Sequence, residues 1–209
     1  MDHRNILGLT VRYPERGLVK TRLAKDIGDD EACRVYRAMA EKIIAETAPV
    51  DGSYGRIIFY TPPLYERYVG EWIPGERIIP QRGKDIGVIM DNAFCDMFGA
   101  GAEKALVVGG DIPGLNRNII VRAFQLLGQA DVVIGPATDG GYYLIGLKSR
   151  AAELFQGIPW GTAEVFPETL RVAGDLGLTV GTMLAMADVD TADDLARMKA
   201  VYPAYFGGA

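Results

Sequence analysis

Along the chain, apolar runs of strand length alternate with segments whose apolar residues recur at helical spacing, the pattern of an α/β protein built on a parallel sheet. Residues 5–11 read as the first strand. Residues 29–47 open on carboxylates and then place Ala32, Val35, Met39 and Ile43 at helical spacing, which predicts a helix with its acids at the positive end of the dipole. A second strand over 55–60 is closed by Pro62 and Pro63, a short amphipathic helix follows over 64–72, and a short third strand spans 77–81. Residues 85–98 predict a helix, 104–111 a fourth strand, and 116–128 a helix with Asn116 as N-cap and Gly128 as its stop. Two strands over 130–137 and 142–148 are separated by "TDGG". A helix over about 163–174 carries Pro167 in its first turn or at a kink. Residues 178–190 read as the last strand and its exit, and 191–202 as the final helix.

No internal repeat, low-complexity segment or linker interrupts this series, and 209 residues suffice for one well-buried domain, 1–209. With 49% apolar residues but no run near the ~20 that a membrane span requires, and no apolar leader at the start, the expectation is a soluble cytoplasmic protein without a membrane span. Cys33 and Cys95 fall on predicted helices at a spacing that fits no zinc motif and read as free thiols. His3, the single histidine, sits close to the N-terminus. Chemistry is therefore left to carboxylates, cations and bound ions.

The net charge of −5 argues against a nucleic-acid partner. Its distribution is uneven: "VRYPERGLVKTRLAK", residues 11–25, carries Arg12, Arg16, Lys20, Arg22 and Lys25 against Glu15 alone. A cationic loop directly after the first strand suits a compact anion such as a diphosphate, with arginine for bidentate contact and lysine as a point charge. The plain alternative is a solvated charged face.

Common nucleotide signatures are absent. Gly109 and Gly114 have P-loop glycine spacing, but Leu115 and Asn116 stand where lysine and a hydroxyl residue are required. Neither a G-x-G-x-x-G turn nor a G-x-S-x-G elbow occurs.

What remains is "ALVVGGDIPGL". Asp111 follows a strand end, where ligands bind in open α/β sheets, and Gly109 and Gly110 leave room for a ligand at the backbone. A turn or helix cap is the alternative. In "ADVDTADDL", Thr191 and Asp194 form a capping-box pattern, while Asp188 and Asp190 lie just outside the helix at another strand end. Two carboxylates from separate strand ends could hold one Mg²⁺ or Mn²⁺, which would be the counter-charge of Asp111. In "PATDGGYYLIGL", Asp139, Gly140 and Gly141 read either as a hairpin turn or as a place where glycines admit a ligand and Asp139 accepts from its hydroxyls. Trp160 could stack on a sugar or base, or sit half-buried in the core.

Taken together, "GLVKTRLAKDIG", "QRGKDIGVIM", "VVGGDIPGL", "PATDGGYYLIGL" with "IPWGT", and "DVDTADDL" resemble, in matching order over nearly the whole chain, the bacterial DUF2064-type family of nucleotide-diphospho-sugar transferases of the GT-A fold. More distantly the set is similar to the molybdopterin and phospholactate guanylyltransferases. The resemblance implies a single-domain Rossmann-like α/β/α sandwich with a mixed, mostly parallel sheet, and a divalent ion on a nucleotide diphosphate. It assigns Asp111 and Asp190 to Mg²⁺ or Mn²⁺ with Asp188 as the weaker candidate, and residues 12–22 to the phosphates. Asp139 and its glycines fall to the sugar or acceptor. Val88 and Ile89 depart from the Glu-Arg that many members carry, and the glycine-rich "LAAG" opening of true nucleotidyltransferases is missing. The leading expectation is a metal-dependent transfer of a glycosyl group from a nucleotide sugar to a small-molecule acceptor, with Asp111, Asp139 and Lys20 as catalytic residues. Nucleotidyl transfer from an NTP to a phosphorylated acceptor is the alternative reaction, a non-catalytic nucleotide-binding module the alternative class. A homodimer is left open.

Overall fold

The computed structural model of the chain describes residues 4–50 and 52–206, so His3 lies outside the described residues. The first strand, β1 (Asn5–Arg12), is followed by α1 (Thr21–Ile27) and α2 (Asp29–Glu46). Next come β2 (Gly55–Thr61), α3 (Glu66–Trp72), β3 (Ile78–Pro80), α4 (Ile86–Gly99), β4 (Lys104–Gly109) and α5 (Arg117–Leu126). The chain continues through β5 (Val132–Pro136), β6 (Tyr142–Leu147), α6 (Val165–Asp175), β7 (Val180–Thr182) and α7 (Ala192–Val201). The strands form one seven-stranded sheet in the order β3-β2-β1-β4-β6-β5-β7.

The sheet is mixed because one connection is short. β1 pairs in parallel with both β2 and β4, and β5 with β7, through helical crossovers. β5 and β6 are joined by residues 137–141 alone, too few for a crossover, so β6 runs antiparallel to β5 and to its other neighbour, β4. The "TDGG" stretch is therefore a hairpin tip. Because β6 is reversed between two strands of like direction, that tip lies at the same sheet edge as the carboxyl ends of β1, β4 and β7.

Strand residues alternate between two apolar layers. Leu7, Leu9, Leu106 and Val108 face α2 and α5 through Ile43 and Ile120. Ile6, Ala105 and Val107 face α4 and α6 through Phe94, Met97 and Ala173. Burial on both faces explains the continuous apolar runs of the central strands. Helix starts follow the capping rules: Asp85 Oδ1 accepts from the Val88 N–H at 2.9 Å, Asn116 Oδ1 from Asn118 N–H at 3.0 Å, and Thr191 with Asp194 completes a capping box. Pro167 sits in the first turn of α6.

The stretch after β1 differs from its reading as an extended basic loop. Thr21–Ile27 is helical, because fully buried Leu23 packs with Val35 and Met39 of α2 and with Val189 ahead of α7. Asp26 Oδ2 also accepts from the Ala192 N–H at 3.2 Å, tying α1 to α7. The α1 segment is thus locked to the chain's last helix.

Away from the sheet edge with the hairpin, Arg56 of β2 is buried to 3% side-chain exposure. Its guanidinium donates to Glu76, to Thr47 Oγ1 and to the Ile44 carbonyl, joining α2, β2 and the approach to β3. Removing one partner of a buried, hydrogen-bonded pair strands the other charge. Glu76→Ala should therefore cost ~3 kcal/mol in urea unfolding, whereas Arg67→Ala, which breaks a pair exposed on α3, should cost less than ~0.5 kcal/mol.

Candidate functional site

In an open α/β sheet the crevice lies where the strand order reverses, outside the carboxyl ends. Here the chain builds β2 and β3 on one side of β1 and β4 on the other, so the switch point lies between β1 and β4. Thr10 of β1 pairs with Gly109 of β4, and its Oγ1 donates to the Val108 carbonyl at 3.1 Å. Asp111 follows directly. Gly110 is needed for this close approach: a Cβ there would stand 2.8 Å from the Thr10 carbonyl oxygen, so its missing side chain makes room for β1 rather than for a ligand.

Lys20 lies at the centre. It is the N-cap of α1 and, with φ 45° and ψ 47°, the sole non-glycine residue at positive φ among the described residues. Its ammonium donates to Asp111 Oδ2 at 2.8 Å and to Asp190 Oδ1 at 3.0 Å, with 7% of the side chain exposed. Arg22, on the first turn of α1, donates from Nη1 to Asp190 Oδ2 at 3.0 Å. Burial pulls the Lys20 pKa down, but the Asp111 and Asp190 charges more than offset it, and the net shift is upward. Asp190 is set by the capping box beside it, since its N–H donates to Asp194 Oδ2.

The cleft has two lobes meeting at Gly109, Met90, Arg22 and Asp190. The first, about 740 Å³, is lined by Arg12, Lys20, Arg22 and Asp111 together with Tyr36 and Gln81. The second, about 550 Å³, is lined by Asp139, Gly141 and Tyr142 of the hairpin and by Trp160 and Thr162. Asp139 Oδ1 accepts from the Gly141 N–H at 2.9 Å, which holds the carboxylate at the tip and leaves Oδ2 for another donor. Trp160 stands edge-on to Tyr142, ring centroids 6.2 Å apart.

A family model described as "Uncharacterized protein conserved in bacteria (DUF2064)" matches residues 44–162. The chain belongs to this family. The chain shares its fold with solved structures. A crystal structure from Desulfovibrio desulfuricans G20, described as a candidate nucleotide-diphospho-sugar transferase, is 33% identical over 95% of this chain and 87% of its own, with a TM-score of 0.89. The 4-diphosphocytidyl-2C-methyl-D-erythritol synthase of Anaerococcus prevotii DSM 20548 shares the fold at 8% identity and TM-score 0.62, covering 96% of this chain and 99% of its own. Rv0371C of Mycobacterium tuberculosis H37Rv, solved with manganese, does so at 11% identity and TM-score 0.57, over 95% and 98%. No curated protein matches. The chain thus has the fold of a 33%-identical protein described as a candidate transferase.

Several residues expected at the site stand elsewhere or act differently. Arg16 is 69% exposed, pairs with Asp30 of α2 at 3.0 Å and lines neither lobe. Lys20 was expected to aim at a diphosphate and a metal to balance Asp111; in the structure Lys20 is itself that counter-charge. Asp188 lines neither lobe, and burial, with the Asp190 charge adding, pushes its carboxyl up to about 6. Among the described residues no group of three or more histidine, cysteine or carboxylate side chains forms a metal cluster. Gly140 does not open to a ligand: at φ 92° it packs on the Ala163 backbone, where a Cβ would fall 2.4 Å from the Ala163 carbonyl oxygen.

Two contributors carry no motif of their own. Tyr36 of α2 accepts from the Arg12 N–H at 2.8 Å, fixing the end of β1 from a position that reads as an ordinary core residue. Gln81 donates to the Phe59 carbonyl at 2.9 Å and borders the first lobe; its place in "QRGKDIG" was the available signal.

If the Lys20–Asp111 pair holds the cleft floor, the substitutions Lys20→Ala and Asp111→Asn should not be additive. A double-mutant cycle on urea unfolding is expected to show a coupling of ~1–2 kcal/mol, discounted because the carboxylates are about one-third exposed.

Proposed function

We propose that the protein transfers a glycosyl group from a nucleoside diphosphate sugar to an uncharged, hydroxyl-bearing acceptor. The observation that carries this is the difference in charge between the two lobes. The first is bordered by three cations, Arg12, Lys20 and Arg22, against two acids, Asp111 and Asp190, a net positive lining in which Arg12 carries no carboxylate partner from the lobe's described residues and which suits a diphosphate. The second shares Arg22 and Asp190 with the first, and Asp139 adds a carboxylate, so two acids stand against one cation among its described lining residues. A phosphorylated acceptor, as nucleotidyl transfer requires, would meet carboxylates there. A sugar-like ring would place its apolar face on Trp160 and donate a hydroxyl to Asp139 Oδ2.

In the reaction, an acceptor hydroxyl oxygen bonds to the anomeric carbon as its proton passes to Asp139 Oδ2, the bond from that carbon to the diphosphate breaks, and the electron pair leaves with the diphosphate. Arg12 and the α1 cations oppose the charge that develops on the leaving group. Asp139 holds the ring in place. Asp111 and Asp190 fit a divalent ion, since their oxygens converge on a cation and two carboxylates plus phosphates are what Mg²⁺ or Mn²⁺ takes. Such an ion, when bound, neutralises diphosphate charge. The manganese in the Mycobacterium tuberculosis structure of the same fold supports this choice. The free thiols Cys33 and Cys95 suit a reducing cytoplasm, and no helix among the described residues is long and apolar enough to cross a membrane.

The test is incubation with panels of nucleotide sugars and NTPs plus Mn²⁺, with polyhydroxyl or sugar-phosphate acceptors. The expected result is nucleoside diphosphate release stimulated by uncharged acceptors, reduced ~10-fold or more in Trp160→Ala. Pyrophosphate release from an NTP with a sugar phosphate would instead establish nucleotidyl transfer.

A further inference from the structure

We propose that Lys20 is a built-in counter-ion that a divalent cation must displace, so that metal and diphosphate are driven to bind as a pair. This rests on the reading of the first lobe as a diphosphate site.

Asp111 Oδ2 and Asp190 Oδ1, the two oxygens that converge, both meet the Lys20 ammonium, at 2.8 and 3.0 Å. A divalent ion binds such oxygens at ~2.1 Å, and it cannot share their convergence point with an ammonium. Asp190 Oδ2 offers no escape, because Arg22 holds it at 3.0 Å. An ion that bridges the two carboxylates at this point and the Lys20 ammonium thus exclude one another.

Charge balance sets the consequence. Lys20 and Arg22 together neutralise Asp111 and Asp190. A divalent ion alone would leave this group, of which Lys20 is the buried member, with two surplus positive charges, whereas a diphosphate brings two negative ones and restores neutrality. The displaced ammonium, which has 7% side-chain exposure in its resting place, then has an anion to move to. Its backbone is poised for exchange: Lys20 starts α1 in the left-handed region that side-chain-bearing residues rarely adopt, with glycine at position 17, also at positive φ, just before it. The resting ion pair keeps the cleft floor neutral and raises the barrier to unproductive binding of metal by itself.

Mn²⁺ titration without nucleotide, read by the electron paramagnetic resonance signal of the free ion, tests this. Lys20→Met should bind Mn²⁺ at least ~10-fold more tightly than wild type, and adding Asp111→Asn should abolish the gain. Equal affinity of Lys20→Met and wild type, with binding weakened by Asp111→Asn, would overturn the counter-ion role while leaving the metal seat standing. Binding to Lys20→Met that is indifferent to Asp111→Asn, or no saturable binding at all, would overturn both. Should Lys20→Met not fold, acetylation of wild-type lysines followed by peptide mass spectrometry decides the matter. Lys20 should be protected in the metal-free protein and several-fold more reactive at saturating Mn²⁺. Unchanged protection would contradict the displacement.

Discussion

An ammonium held between two carboxylates organises this end of the molecule. Lys20, Asp111 and Asp190 come from the start of α1, the exit of β4 and the approach to α7, and their ion pairs draw the three segments onto one point. A lysine so little exposed must have its charge matched, so the position of α1 over the sheet is bound to the presence of both acids. The packing agrees with the electrostatics for two of them: buried Leu23 of α1 packs with Val189 and Leu195, closing α1 onto the approach to α7 and α7 itself.

The sheet explains why these groups meet. β1 and β4 are neighbours in space although α1–α4 intervene between them in sequence, and the crevice at their ends is the natural place for a ligand. The reversed strand β6 adds a second device, since its hairpin carries Asp139 to the same edge. The outcome is one cleft in which cations outnumber acids in the first lobe and acids outnumber cations in the second, aromatic one. On the proposed function, that division favours a diphosphate in the first lobe and an uncharged acceptor in the second.

Much of the fold was legible because both local and global signals agreed. The strands β1, β4, β5 and β6 are apolar runs, and the caps at Asn116 and Thr191 are local chemistry that tertiary structure did not override. Helix α1 escaped notice because its apolar signal rests on Leu23 amid charged residues, and its stability comes from contacts with α2 and the residues before α7. At the site, Asp111, Asp190 and Asp139 stood out as acids beside glycines and strand ends. Their partners did not. That Lys20 would neutralise Asp111 rather than wait for phosphate depends on a distance across 91 positions of sequence, and Arg16 turned outward because Asp30 offered it an exposed partner. Tyr36 contributes through a single backbone hydrogen bond that no motif announces.

On the proposed mechanism a divalent cation takes the point now held by Lys20, and the diphosphate lies beside it in the first lobe. A crystal structure with Mn²⁺ and a nucleoside diphosphate, with the ion located by its anomalous signal, examines this most directly. Manganese is predicted on Asp111 and Asp190, with the Lys20 ammonium moved onto a phosphate oxygen in the first lobe. Manganese bound elsewhere, or Lys20 still bridging the two carboxylates beneath the bound nucleotide, would contradict it.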